Sequence, residues 1–84
     1  MESDELRMMI RQKLARGNLP RHKCLVTWFG PGTGHRCVAC DRVIGRQEIE
    51  CECEHSAGDV LRFHQSCFAA WDDERLDTAG ALTP

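Results

Sequence analysis

Between Cys37 and Cys67 the chain carries two close pairs of metal-seeking side chains, Cys37-x2-Cys40 and His64-x2-Cys67. No other feature restricts the fold so strongly. Four ligands on one ion must meet within a few ångströms, so the segment between the pairs has to double back. Two cysteines with two residues between them can both be aimed at one ion by a tight backbone turn. A His and a Cys three apart share a face at a helix start. Three soft sulfurs and one imidazole suit tetrahedral zinc.

The intervening sequence is built to double back. QEIECECE at 47–54 alternates strictly, and successive side chains of a strand point to opposite faces. Ile49, Cys51 and Cys53 therefore share one face, and Glu48, Glu50, Glu52 and Glu54 share the other, expected to be solvated. HSAGD supplies turn residues, and VLRFH at 60–64 returns as the second strand of a hairpin. From Gln65 to about Leu76 the pattern becomes helical, with Phe68, Trp71 and Arg75 on one side.

Cys51 and Cys53 compete for the metal. Two positions apart on a strand they lie about 7 Å apart, a poor bite for an ion whose bonds to sulfur are about 2.3 Å. Small buried core residues are the better reading, with a second metal site or a redox role as the alternative. His35, two before Cys37, is a substitute for His64. His22, His55 and Cys24 read as ordinary loop or core residues.

Ahead of this region, SDELRMMIRQKLAR at 3–16 reads as a helix. Ser3 or Asp4 caps it, and Asp4 and Glu5 suit the positive end of its dipole. Leu6, Met9, Ile10 and Leu14 form one apolar face, and Gly17, Asn18 and Pro20 stop it. Leu25 to Phe29 suits a short strand. GPGTG at 30–34 lacks the Lys-Ser/Thr of a phosphate-binding loop and reads as a flexible hinge. The organisation expected is an N-terminal helix and Gly-rich linker (1–34), a zinc-binding domain (35–78) and a flexible tail (79–84).

A chain of 84 residues makes one small domain with a thin core, aromatic residues being 6% of it. Such chains commonly need a metal, disulfides or a partner. Nothing in it is apolar for long enough to span a membrane, and MESDELRMMIRQ does not resemble a secretory signal. A cytoplasmic, reducing setting is the default expectation, and it favours metal ligation over disulfides.

The metal ligands, hairpin and helix together resemble the treble-clef zinc fingers, in which a Cys-x2-Cys knuckle and a β-hairpin precede a helix that gives the second ligand pair. Cys37, Cys40, His64 and Cys67 carry the resemblance. The FH-x2-C-x3-W run from Phe63 to Trp71 is similar to LIM- and RING-related members. The likeness covers His35 to Asp77, and the chain also resembles a type of small bacterial protein. One departure is Asp41 directly after the second cysteine, where many such knuckles have glycine. Asp tolerates the left-handed backbone better than most residues. The implied fold is a small α+β treble clef with an added N-terminal amphipathic helix, holding one structural Zn2+.

A site filled by three cysteines and one histidine leaves no position for water or substrate, which argues against an enzyme. Arg36 and Arg42 flank the knuckle and can offset its charge. A thiol redox protein using Cys37 and Cys40 is the remaining enzymatic reading, weakened because DRVIG after Cys40 is not the helix start that activates such thiols. Two binding roles stay open. From Leu6 to Cys40 there are seven bases and no acid, whereas Asp41 to Pro84 holds ten acids and four bases. Arg7, Arg11, Lys13, Arg16, Arg21 and Lys23 could meet nucleic-acid phosphates. Alternatively a protein partner meets the acidic strand face or the Asp72–Glu74 cluster, or the Leu6/Met9/Ile10/Leu14 stripe forms a homodimer. In the plainer reading, that stripe covers the chain's own core and the two charged halves attract each other.

Overall fold

Asp4 and Glu5 occupy the first turn of helix α1, Ser3–Ala15, whose Ile10 and Leu14 are buried. Its end follows from Gly17, which takes φ 78°. The Asn18 N–H bonds the Lys13 carbonyl (2.8 Å) and the Gly17 N–H the Leu14 carbonyl (3.2 Å), the reciprocal closure that a left-handed residue after a helix permits. The computed structural model describes residues 3–56 and 58–81, with side chains as far as Asp77. Strand β1 is Val26–Pro31, β2 Ile49–Ser56, β3 Asp59–His64, and helix α2 Gln65–Ala81.

The strands form an antiparallel sheet in the order β1-β2-β3. Trp28, Glu52 and Arg62 stand side by side across it, as do Phe29, Cys51 and Phe63. The hairpin turns between Ser56 and Asp59, with Gly58 at φ 89° and the Ser56 hydroxyl donating to Asp59 (2.7 Å). Ala57 lies outside the described residues.

The sheet face carrying Cys51, Cys53 and Phe63 packs on α2. Phe63 stacks on Trp71 at 5.1 Å, and Phe68 meets both Phe63 and Phe29 edge-on. Ile10, Leu14 and Leu19 join the same core as Ile44, Phe63, Trp71 and the buried cysteines. Residues 1–34 and 35–78 thus contribute to one core, and Ile10 and Leu14 of the apolar stripe are used inside the chain. The Trp71 indole N–H donates to the Pro20 carbonyl at 3.0 Å, tying the segment after α1 to α2.

Several expectations need correction. GPGTG is not a free hinge. Gly30 and Pro31 complete β1, and buried Gly32 bonds the Glu48 carbonyl at 2.9 Å. A Cβ built on Gly32 would collide with the Gly45 carbonyl, so glycine permits a close approach of two backbones. Glu50 does not lie on a solvated face: it is 2% exposed, accepts from the Thr33 hydroxyl (3.1 Å) and pairs with Arg62 (3.6 Å). Strict alternation assigns a side chain to a face but cannot say that Thr33 and Arg62 cover part of it. Helix α2 continues past Leu76 to Ala81; its last residues include alanine and no proline, so only Gly80 opposes extension. Residues 82–84 of the expected tail lie outside the described residues.

Candidate metal centre

The knuckle is shaped by a backbone loop that closes on itself. Arg36 and Val43 form an isolated antiparallel bridge, and the Cys37 N–H bonds the Arg42 carbonyl at 2.8 Å. The Asp41 N–H returns to the Cys37 carbonyl at 2.9 Å, and Asp41 adopts φ 66°. It is the one non-glycine residue with positive φ among those described. A short polar side chain accepts this conformation at a tolerable cost. Lys13 reaches from α1 to hold the turn, its ammonium 2.8 Å from both the Val38 carbonyl and the Asp41 carboxylate.

Across the sheet, His64 is the last residue of β3 and Cys67 lies in the first turn of α2. The Val38 N–H bonds the Arg62 carbonyl at 2.9 Å and so docks the knuckle on β3. As a result Cys37, Cys40, His64 and Cys67 bring one ligand atom each to within 4.8 Å of one another, and they could hold a metal ion. The His64 Nδ1 lies 3.4 Å from the Cys40 sulfur and 3.8 Å from the Cys67 sulfur. A tetrahedral zinc with ordinary Zn–S and Zn–N bonds separates such atoms by about 3.5 Å. The donor set and its spacing fit zinc.

The other imidazole nitrogen is also placed. Nε2 lies 3.2 Å from the Val43 carbonyl and 3.5 Å from a Glu48 carboxylate oxygen. A carbonyl can only accept, so Nε2 carries the proton and the lone pair of Nδ1 faces the sulfurs. Fixing the tautomer in this way is how histidine ligands are oriented for metals. Sequence spacing could name His64 but not Val43 or Glu48, because these partners come from the loop between knuckle and hairpin.

The thiols are buried, with Cys37 1%, Cys40 6% and Cys67 5% exposed. Cys37 is pulled down to about 4, chiefly by a hydrogen bond with the Cys67 thiol, with help from backbone N–H groups. The same hydrogen bond pushes Cys67 up, and burial pushes Cys40 up. The shared hydrogen bond thus favours negative charge on Cys37 over Cys67. The N–H of His64, 3.4 Å from the Cys37 sulfur, serves a metal-bound thiolate equally well.

The other candidates lie elsewhere. His35 is exposed, with its Nδ1 2.6 Å from the Thr33 hydroxyl, and is outside the cluster. Cys51 is fully buried, and burial pushes its thiol up to about 12. Cys53 is bonded to Cys24 in a disulfide, so Cys24 is not an ordinary loop residue and Cys53 is not a free thiol. The expectation that a reducing setting favours metal ligation over disulfides did not anticipate this pairing, because β1 brings the chain beside β2 only in three dimensions. Arg7 and Arg11 both pair with Glu74, at 3.2 and 2.8 Å, and Arg7 also meets Asp73 at 3.3 Å. With Lys13 held at Asp41 and Arg21 donating to the Leu14 carbonyl at 3.4 Å, four of the six bases considered for nucleic acid are engaged within the chain. Glu74 is 2% exposed, and the Asp72–Glu74 cluster is not a free acidic surface.

No protein-family model, curated protein or solved structure gives a significant match to this chain. No helix among the described residues is long and apolar enough to cross a membrane. The fold and the site together define a small α+β chain with a three-stranded antiparallel sheet, two helices and a Cys3His cluster able to hold a metal ion.

Proposed function

We propose that the chain is a non-enzymatic zinc module of treble-clef type, in which one structural Zn2+ fixes a scaffold for protein interaction. The observation that carries this reading is the closed cluster of Cys37, Cys40, His64 and Cys67, with four ligand atoms from the protein and buried sulfurs. A zinc so enclosed has no vacancy for water, so its work is to join the knuckle to the β3–α2 junction. Burial also argues against dithiol chemistry at Cys37 and Cys40, since a reactive thiol must be reached by its substrate.

A reducing, cytoplasmic setting suits three metal-bound thiolates, and there Cys24 and Cys53 would stand as a dithiol. The nucleic-acid reading keeps Arg16 and Lys23, both exposed, but shares Arg7, Arg11, Lys13 and Arg21 with internal partners. Protein interaction is favoured because exposed apolar side chains are concentrated on one edge of the sheet.

Native mass spectrometry of the protein purified without added metal tests the reading. One zinc per chain, lost on denaturation and lost in Cys37→Ser/Cys40→Ser, is the expected result. A chain that carries no metal, or keeps it in that variant, refutes the reading.

A further inference from the structure

Among the described residues, four of the nine large hydrophobic side chains left exposed lie in one stretch: Leu25, Val26, Trp28 and Phe29. They belong to β1 or directly precede it, and β1 is an outer strand of the sheet. The two edges are treated differently. At β3 the knuckle residue Val38 bonds outward to Arg62, whereas no backbone hydrogen bond among the described residues joins the outer edge of β1 to another segment. The Gly32 N–H bonds Glu48 of the neighbouring chain segment. By the alternation of an antiparallel ladder, Thr27 and Phe29 therefore turn their N–H and carbonyl groups outward. An open edge flanked by apolar side chains is a template for another strand.

One face beside this edge is acidic. Val26 and Trp28 are opposite Glu54 and Glu52, and Gly30 is opposite Glu50. A Cβ built on Gly30 would meet nothing within 4 Å. The missing side chain leaves a hollow of about 270 Å³ bounded by Trp28, Pro31, Thr33, Glu50 and Glu52. An aromatic wall beside two carboxylates suits a cation better than any other group. Arg62 is the nearest base, 3.6 Å from Glu50 and 3.9 Å from Glu52, so the carboxylates of this face outnumber their cation.

We propose that the β1 edge takes up an extended, basic segment of a partner protein as a fourth strand. Its backbone pairs with Thr27 and Phe29. Its side chains alternate, as strand geometry requires. One set, cationic, lies over Trp28 and reaches toward Glu52 and the hollow at Gly30. The other set, apolar, lies beside Phe29. A second copy of this chain fits less well, because it would bring another Glu52 and Glu54 row to a face already short of positive charge. This inference rests on the interaction-module reading and specifies its surface.

The test uses the zinc-loaded chain and a capped octapeptide of alternating arginine and valine, with binding followed by tryptophan emission. Trp28 is half exposed and Trp71 fully buried, so quenching by a polar probe reports mainly on Trp28. Saturable binding is expected, weakened about tenfold or more by Trp28→Ala and several-fold between about 50 and about 500 mM salt. Thr27→Pro should also abolish it. That change removes an outward N–H and no bond to β2, so the fold tolerates it. Tighter binding of the matching glutamate–valine peptide would overturn the proposal, as would arginine–valine binding indifferent to both substitutions. A concentration-dependent dimer that Thr27→Pro dissolves would assign the edge to a second copy and also overturn it. Absence of peptide binding with one zinc retained in native mass spectra defeats this inference alone, whereas absence of zinc defeats the proposed function.

Discussion

Replacing Cys37 and Cys40 by serine should do more than lose a metal; it should release the knuckle from the β3–α2 junction. The size of the effect follows from the chain topology. The cluster joins Cys37 to His64, 27 residues further on. Closing a loop of that length restricts the unfolded chain by about 3.6 kcal/mol when treated as a covalent cross-link. A domain of this size gains about 4–13 kcal/mol from folding in total. The cross-link is therefore a large share of it, even before ligand bonds are counted.

The core offers little to offset the loss. Phe63 and Trp71 are its only fully buried aromatic residues among those described, and Cys37, Cys40 and Cys67 fill part of the remaining interior. At about 4–8 °C per kcal/mol for chains of this length, the midpoint Tm should fall by about 15–30 °C. Thermal unfolding followed by circular dichroism, with the wild type in excess zinc and the variant beside it, measures this directly. Chelation of wild-type zinc should reproduce the shift. A variant that melts within about 3 °C of the wild type would show that the knuckle is held by packing and that the metal does not clip the fold.

The Cys24–Cys53 bridge spans 29 residues, so Cys24→Ala/Cys53→Ala should lower stability by about 3–4 kcal/mol in non-reducing urea titrations, with no added loss when reductant is present. Gly32→Ala should cost about 1–3 kcal/mol because its Cβ meets the Gly45 backbone, whereas Gly30→Ala, with open space around it, should stay within about 0.5 kcal/mol; paired urea curves separate them. The hydrogen bond from Arg11, aided by Arg7 and opposed by burial, holds the Glu74 carboxyl below its ordinary value of 4.5. A depressed carboxylate contributes stability above its unfolded pKa and loses it as pH falls through the folded value. The gap between wild type and Glu74→Gln should thus be full at pH 7 and shrink below about pH 4, the metal-dependent part cancelling in the comparison; a gap independent of pH would refute the ion-pair account.

The parts of this molecule that depend on short-range chemistry were legible in its sequence. Helix α1 carries Asp4 and Glu5 in its first turn and stops at Gly17, as its charge and stop signals indicate, although Ser3 and Asp4, expected to cap it, are themselves helical. The 47–54 alternation and its turn marked the hairpin. Asp41 in the left-handed region was also readable, because few side chains other than glycine accept that backbone. The Cys-x2-Cys and His-x2-Cys spacings named the residues that the fold gathers into one cluster. What stayed hidden is long-range. Nothing local says that Lys13 of α1 will reach Asp41, that Val43 will accept from His64, or that Cys24 will meet Cys53.

Glu50 and Glu74 show the same limit from the side of charge. Each lies in an acidic run that reads as a solvated surface, and each is only 2% exposed. A carboxylate enters the interior only when cations or hydroxyls remote in sequence come to meet it. Arg7 and Arg11 do so for Glu74, and Arg62 with Thr33 for Glu50. The basic front and acidic back of the sequence are therefore partly the two halves of one set of internal contacts. What remains of the acidic row, Glu52 and Glu54 beside Trp28, is all the more informative, because folding has already drawn Arg7, Arg11 and Lys13 elsewhere. Arg62, shared between Glu50 and Glu52, is the one cation of the described residues within 4 Å of that face, so an arriving cation would add to a set of carboxylates that outnumbers it.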